Sequence, residues 1–237
     1  MNRVIKSLQF DNVTFRFENE APTFKNVTID FPMDTVNVLR GERGAGRSTL
    51  LQLLSGLQMP TQGNYKLNEK AIDEMSFEEF LPYRLRIGYA FDLGGLISNR
   101  SLYENLVLPL SYHKIGTPEQ ISKKVMTIME RFNMIKSKDM RPAHVSGTLR
   151  RVTCLLRSII LDPEVLVLDD PTVGLSKELQ QMFADVISEL IRLGITHTLF
   201  ISSYEESFIS QFEHTNIYLE GENIFLPPDD KKRVVNL

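Results

Sequence analysis

The sequence contains very little cysteine and no tryptophan. Cys154 is the only cysteine among the 237 residues, so the chain cannot form an internal disulfide. It lies in the apolar run VTCLLRSII, where a buried structural thiol is expected. This composition excludes a fold that depends on disulfides and fits a reducing compartment.

A strong net charge and a long hydrophobic run are also missing. The net charge of −3 at pH 7 gives no electrostatic basis for binding nucleic acid or anionic lipid. No stretch approaches the roughly 18 uninterrupted apolar residues of a membrane span. The N-terminal segment MNRVIKSLQFDNV lacks the apolar core of a signal peptide. We therefore expect any membrane contact to go through a partner.

Residues 36–57, VNVLRGERGAGRSTLLQLLSGL, combine an apolar run, a glycine-rich turn and a leucine-rich segment. A strand, a glycine loop and a helix in this order hold phosphate, because backbone N–H groups and the helix N-terminus face the anion. The pattern G-x-x-x-x-G-K-[ST] spans residues 41–48, with Arg47 in the place of lysine. Arginine keeps the charge on a wide planar fork, so it can either bind phosphate from a shifted position or block the loop. The alternative is a glycine turn without a ligand.

The rest of the chain alternates between strand and helix patterns. Residues 8–40 alternate as strands, and helical periodicity dominates residues 101–141. Capping boxes are predicted at Ser76 and at Thr117, the latter followed by Pro118 at the first helical position. Strands that alternate with helices after the glycine loop predict a mostly parallel α/β sheet, whose ligands bind beyond the carboxyl ends of the strands.

Two aspartates follow the apolar run VLVL. Asp169 lies at the predicted strand end, where it can hold Mg²⁺ opposite Ser48, and Asp170 can orient an attacking water. A solvated turn is the alternative interpretation of this pair. Its combination with the glycine loop favours a nucleotide site.

Several stretches together resemble the ATP-binding-cassette (ABC) ATPase subunits of transporters over nearly the whole chain. The most specific is DPEVLVLDDPTVGL, which is close to the Walker B and D-loop sequence of that family. The other matching stretches, in the order of the family, are GERGAGRST, RIGYAFD, SLYENLVLPL, HVSGTLRRV and HTLFISSYEES. The segment FDLGGLISNRSLYENLVLPL most resembles the cassettes that serve lipid importers of the MCE type.

The resemblance implies an α/β fold of the P-loop NTPase, ABC type, with a mostly parallel core sheet, an N-terminal antiparallel β subdomain and an inserted helical subdomain. Residues 1–237 would form one nucleotide-binding domain, with 1–92 and 144–237 as the RecA-like core and β subdomain. Residues 93–143 would be the helical subdomain that supplies the docking groove. The implied cofactors are ATP and Mg²⁺. The implied partners are transmembrane permease subunits and a second ABC subunit, with no nucleic acid, at the cytoplasmic face of the cell membrane.

The resemblance also implies a role for individual residues. Asp170, Asp92 and Ser203 would be catalytic, and Ser48, Asp169 and Asp92 would bind the metal. Phe17 would stack on the base, although its strand pattern alone favours core packing. The implied nucleotide-binding residues are Phe17, Gly41, Gly44, Ala45, Gly46, Arg47, Ser48, Thr49, Ser146 and Gly147.

The chain departs from the family pattern at its most important positions. Arg47 replaces the loop lysine, Asp92 the Q-loop glutamine, and VSGTL the signature LSGGQ. Asp170 replaces the catalytic glutamate, Ser176 the D-loop aspartate and Ser203 the switch histidine. Aspartate draws its carboxylate back by about 1.5 Å, and a misplacement of about 1 Å can cost ~100-fold in rate.

These departures predict a nucleotide binder with weak or absent hydrolysis, in which ATP acts mainly as a dimer glue or regulatory ligand. A homodimer would contain two compromised sites, whereas a heterodimer would contain one weakened half in each. The alternatives are an ATPase with a re-tuned site, a soluble cassette protein acting on DNA or ribosomes, and a scaffold whose nucleotide pocket is a relic.

Overall fold

The computed structural model describes residues 3–91 and 95–227. Asp92, predicted to be both catalytic and metal-binding, lies outside the described residues. The strands are β1 Leu8–Phe15, β2 Phe24–Asp30, β3 Val36–Arg40, β4 Gln62–Leu67, β5 Lys70–Ala71, β6 Ile87–Ala90, β7 Val165–Asp169, β8 Thr198–Ser202, β9 His214–Glu220 and β10 Asn223–Phe225. The helices are α1 Arg47–Leu54, α2 Phe77–Arg84, α3 Leu102–Tyr112, α4 Pro118–Arg131, α5 Gly147–Ile159, α6 Lys177–Arg192 and α7 Glu206–Ile209.

Six strands form the core sheet in the order β10-β9-β3-β8-β7-β6. The pairs β9/β3, β3/β8, β8/β7 and β7/β6 are parallel, and the edge pair β9/β10 is antiparallel. β7 and β8 are buried along their whole length, as expected for parallel strands covered on both faces. The carboxyl ends of β3, β7 and β8 therefore lie side by side at one edge, where the predicted site residues follow.

A second, antiparallel sheet has the order β2-β1-β4-β5. It packs over α1 and the core sheet through one hydrophobic cluster, which includes Phe10, Phe24, Leu50, Val167 and Phe200. The predicted α/β fold, with an antiparallel N-terminal sheet and a mostly parallel core sheet, is confirmed.

The helix starts agree with the sequence patterns. Ser76 and Thr117 both form complete capping boxes, with Glu79 and Gln120 at the third helical positions. A third capping box joins Ser101 and Glu104 at the start of α3. Because these side chains satisfy the free N–H groups of the first turn, each of the three helices begins directly after its N-cap residue.

The helices α3 and α4 pack against the core sheet. Leu106 of α3 and Val125 of α4 belong to the same buried cluster as Leu168 of β7 and Ile201 of β8. The division into core residues 1–92 and 144–237 and helical residues 93–143 stays a prediction. Among the described helices, none combines the length and apolar character that a membrane span requires.

Tyr65 of β4 ties the antiparallel sheet to the end of α1. Its side chain is 1% exposed, and its hydroxyl donates to the carbonyl of Leu54 at 2.8 Å. We expect Tyr65→Phe to lower the free energy of unfolding by about 1–2 kcal/mol, because the buried carbonyl loses its partner. Urea unfolding measures the change. The control Tyr112→Phe, at a residue that is 75% exposed, should stay within about 0.5 kcal/mol of the parent. Equal values for the two variants would contradict the prediction.

Candidate nucleotide site

The glycine loop lies between β3 and α1 as predicted. Gly44 and Gly46 have φ angles of +90° and +88°, a region that residues with a side chain rarely adopt. A Cβ atom on Gly46 would lie 2.6 Å from the Cγ2 atom of Thr23, so the antiparallel sheet closes against the loop there. By contrast, a Cβ on Gly44 would meet no atom of the described residues within 4 Å, so they leave that side of the loop open to a ligand.

The other two predicted loop residues face a neighbouring cavity. Gly41 and Ala45 line it together with Tyr218 and Glu220 of β9. A Cβ on Gly41 would lie 2.9 Å from the carbonyl oxygen of Leu219, so this glycine permits a close approach between the loop and β9. We conclude that Gly41 shapes the loop on the side that faces β9.

An open cavity of about 820 Å³ lies against the loop and the start of α1. It brings together six of the predicted site residues. Three further residues, Arg43, Val173 and Tyr204, also line it, and sequence analysis did not identify them. The complete lining is Arg43, Gly44, Gly46, Arg47, Ser48, Thr49, Asp170, Val173 and Tyr204.

The two aspartates after β7 occupy different environments. Asp169 is 3% exposed at the end of the strand, whereas Asp170 is half-buried and lines the cavity. The backbone N–H of Asp170 donates to the carbonyl of Ser202 at 2.8 Å, which holds the residue beside the end of β8. Its φ of +43° is in the left-handed region, which aspartate tolerates better than most residues.

A buried arginine that sequence analysis did not identify supports these aspartates. Arg151 of α5 is 8% exposed. Its Nη2 atom donates to the carbonyls of Asp169 and Asp170 at 2.8 and 2.7 Å, and its Nη1 atom donates to the carbonyl of Phe91. One side chain thus joins α5 to the chain ends of β6 and β7. The available signal was a charged residue at the start of the apolar run VTCLLRSII.

Ser203 and Ser176, which were predicted to replace the switch histidine and the D-loop aspartate, form hydrogen bonds within the fold. Ser203 is 2% exposed, and its Oγ atom accepts a hydrogen bond from the N–H of Glu205 at 3.1 Å and lies 3.3 Å from Thr172 Oγ1. Ser176 caps α6 by accepting from the N–H of Leu179 at 3.3 Å. Neither serine lines the cavity.

The predicted signature segment VSGTL forms the start of α5. Ser146 is its N-cap, accepting from the N–H of Leu149 at 3.2 Å, and Thr148 donates to the carbonyl of Gly174 at 3.1 Å. Among the described residues, a Cβ on Gly147 would meet the Arg150 side chain alone, at 3.7 Å. The packing of these residues therefore does not require glycine there. Ser146 and Gly147 lie outside the cavity of the loop.

Phe17 lies just beyond β1, which ends at Phe15 rather than continuing to residue 17 as its alternation suggested. A turn begins there, since the N–H of Glu20 donates to the carbonyl of Phe17 at 3.1 Å. The ring is 40% exposed and contacts Phe15 edge-on, with 5.0 Å between centroids. Phe17 is therefore exposed enough to receive a base but does not line the cavity around Ser48.

The residues present fit ATP with Mg²⁺. The guanidinium groups of Arg43 and Arg47 and the exposed Ser48 surround a loop whose backbone is open at Gly44. The hydroxyl of Ser48 suits Mg²⁺, which keeps several waters and takes its other ligands from one or two side chains and from phosphates. The fold and the cavity together define a P-loop nucleotide-binding domain.

Comparisons with known proteins agree with this class. Residues 24–173 match the ABC transporter family. A putative ABC transporter ATP-binding protein of Methanosarcina acetivorans is 26% identical over 234 residues, covering 95% of this chain and 83% of that protein. The methionine import ATP-binding protein MetN of Mannheimia succiniciproducens is 31% identical over 172 residues, covering 72% of this chain and 50% of that protein. This chain thus spans about half the length of MetN.

The fold is also that of a solved ABC cassette. The dimeric post-hydrolysis structure of the ATP-binding cassette MJ0796, bound to ADP and Pi, has a TM-score of 0.81 at 20% identity and covers 97% of this chain and 99% of its own. The chain belongs to the ABC transporter family, among its ATP-binding subunits. Subunits of this family use ATP and Mg²⁺ and act as dimers with transmembrane permease partners.

Replacement of the buried arginine provides a test of the link between α5 and the aspartates. We expect Arg151→Lys to lower the free energy of unfolding by about 2–3 kcal/mol, because one ammonium cannot serve carbonyls that a planar fork joins. Chemical denaturation measures this loss. The matched control is Arg192→Lys, at an exposed arginine at the end of α6, whose effect should stay within about 0.5 kcal/mol. A loss at Arg151 no larger than at Arg192 would rule out the proposed link.

Proposed function

We propose that this ABC subunit binds Mg-ATP at a composite dimer site and hydrolyses it weakly or not at all, so that ATP acts mainly as a dimer glue or a regulatory ligand. The observation that carries the proposal is the state of Ser203, which stands where the family has its switch histidine. Its hydroxyl is buried against Thr172 and Glu205 and does not line the cavity. A group that could reach a terminal phosphate is thus replaced by one used within the fold.

The roles of the other site residues follow from this proposal. Gly44, Ala45, Gly46, Arg47, Ser48 and Thr49 bind the phosphates, with Gly41 behind the loop, and Ser48 and Asp169 hold Mg²⁺. Phe17 stacks on the base, and the open face at Ser146 and Gly147 meets the nucleotide of a second subunit. Asp170 is the remaining carboxylate at the cavity, and Asp92 keeps its predicted role. When bound, Mg²⁺ neutralises phosphate charge, while the chain positions the phosphates and any attacking water.

The first experiment measures Mg²⁺-dependent ATP binding and phosphate release in the same sample of purified chain. We expect saturable binding, with release of phosphate far below the roughly 1–1,000 per second of ordinary enzymes.

Asp170→Asn should leave ATP binding nearly unchanged, since it keeps the side-chain shape. Asp170→Glu should raise release by as much as ~100-fold, because it restores the reach of the carboxylate. Release at ordinary rates that disappears in Asp170→Asn would reject weak hydrolysis. An absence of binding would favour the scaffold interpretation.

The cargo has two candidate classes. The stretch FDLGGLISNRSLYENLVLPL supports lipid import through its resemblance to MCE-type cassettes. Relatives named for methionine import support an amino acid instead. Uptake of labelled phospholipid and labelled methionine, compared between parent cells and cells lacking this chain, separates the two classes.

A groove of about 400 Å³ supports docking of a permease segment. Phe77 at the start of α2 is 72% exposed and lines it, as do Pro109 and His113 from α3 and its end. Arg84 and Arg157 also line the groove, and desolvation lowers the pKa of both guanidinium groups below its usual value. An acidic side chain on an otherwise apolar partner segment would suit this surface.

Membrane recovery tests this docking surface. We expect Phe77→Glu to reduce the fraction of the chain that sediments with membranes from its native cells, because a carboxylate in the groove opposes apolar contact. The matched control is Leu193→Glu, at the end of α6, where the side chain is 56% exposed and lies outside the groove. Equal recovery of the two variants would place the docking surface elsewhere.

A further inference from the structure

Arg47 and Tyr204 form a cation–π contact at the mouth of the phosphate loop. The Cζ atom of Arg47 lies 4.0 Å from the centroid of the Tyr204 ring. Arg47 is the first residue of α1 and is half-buried, whereas Tyr204 follows β8 and is 59% exposed. Both side chains line the 820 Å³ cavity. The residue that departs from the loop pattern is therefore held by a residue of a different segment.

This contact leaves the hydrogen-bond donors of Arg47 available. A ring over a guanidinium attracts its charge through the π face and does not occupy an N–H donor. Across the described residues, the Arg47 side chain forms neither a hydrogen bond nor an ion pair. Its five donors therefore remain free for an anion in the cavity, where Arg43 adds further positive charge.

The position of Tyr204 is fixed by its neighbours on both sides. Ser203 before it is buried and bonded to the N–H of Glu205. Glu205 after it pairs with Lys177 of α6, with 2.8 Å between Nζ and Oε1. Lys177 also donates to Ser207 Oγ at 2.9 Å, which extends the anchor into α7. Hydrogen bonds and an ion pair therefore hold the turn that carries the Tyr204 ring.

We propose that Tyr204 is the positioning residue that lets an arginine work in this phosphate loop. Arginine is longer and wider than lysine, and an unguided guanidinium would have many rotamers, including ones that fill the open loop at Gly44. Stacking on Tyr204 holds the guanidinium at the cavity mouth, with its donors directed to phosphate and the backbone cradle left open. This inference rests on the proposed nucleotide site and adds to it how Arg47 is held in position to bind phosphate.

A double-mutant cycle on Arg47 and Tyr204 tests the inference. Affinity is measured by calorimetry for Mg-ATP and, in parallel, for inorganic tripolyphosphate, which needs no base recognition. We expect Tyr204→Ala to weaken both affinities by roughly two- to five-fold, the loss of about 0.5–1 kcal/mol of cation–π attraction. Tyr204→Phe, which keeps the ring, should bind like the parent. In an Arg47→Ala background, Tyr204→Ala should have no further effect. The urea midpoint of unfolding should be the same for all Tyr204 variants.

The outcomes separate this inference from the proposed function. Equal weakening by Tyr204→Ala with and without Arg47, or no weakening at all, would overturn the positioning role. Tripolyphosphate binding without ATP binding would reject the proposed function. The double-mutant cycle measured with tripolyphosphate would then still test the positioning role of Tyr204. Failure of both ligands to bind would overturn both.

A readout without nucleotide checks the contact itself. By NMR, the δ protons of Arg47 should be shifted upfield by the ring current of Tyr204 in the parent and in Tyr204→Phe, but not in Tyr204→Ala. Identical Arg47 shifts in all three proteins would overturn the stacked arrangement.

Discussion

The candidate site depends on one buried cation. Arg151 takes its charge out of water and recovers the cost by donating to carbonyls at the ends of β6 and β7. Because those carbonyls belong to Phe91, Asp169 and Asp170, a shift of α5 would disturb the backbone that carries the two aspartates. Arg151 therefore couples the start of α5 to the end of β7.

The substitutions at family positions share a physical pattern. Ser203 is absorbed into the turn after β8, Ser176 caps α6, and Thr148 donates to the carbonyl of Gly174. Each of these hydroxyl groups forms a hydrogen bond within the fold. Arg47 is different, because its donors are not used within the described protein and its charge is held by a ring at the cavity. The described fold therefore uses the hydroxyl groups of these three residues and leaves the donors of Arg47 unused.

Local signals in the sequence were sufficient for much of the fold. The capping boxes at Ser76 and Thr117 each depend on a residue three positions further along the chain. The buried strands β7 and β8 are continuous apolar runs, so residues close in sequence determine these elements. The partners of Arg47 and Arg151 could not be predicted in this way. Tyr204 and Phe91 reach them only after the parallel strands bring distant segments to one edge of the sheet. A lone arginine in an apolar helix indicates burial but does not name the carbonyls that receive it.

The left-handed backbone at Asp170 has a consequence for the choice of side chain. A short side chain that can bond locally accepts φ of +43° at lower cost than a longer one, so aspartate suits this backbone. The same shortness draws the carboxylate away from any substrate in the cavity. The residue that best suits the backbone and the residue with the longest reach are therefore different at this one position.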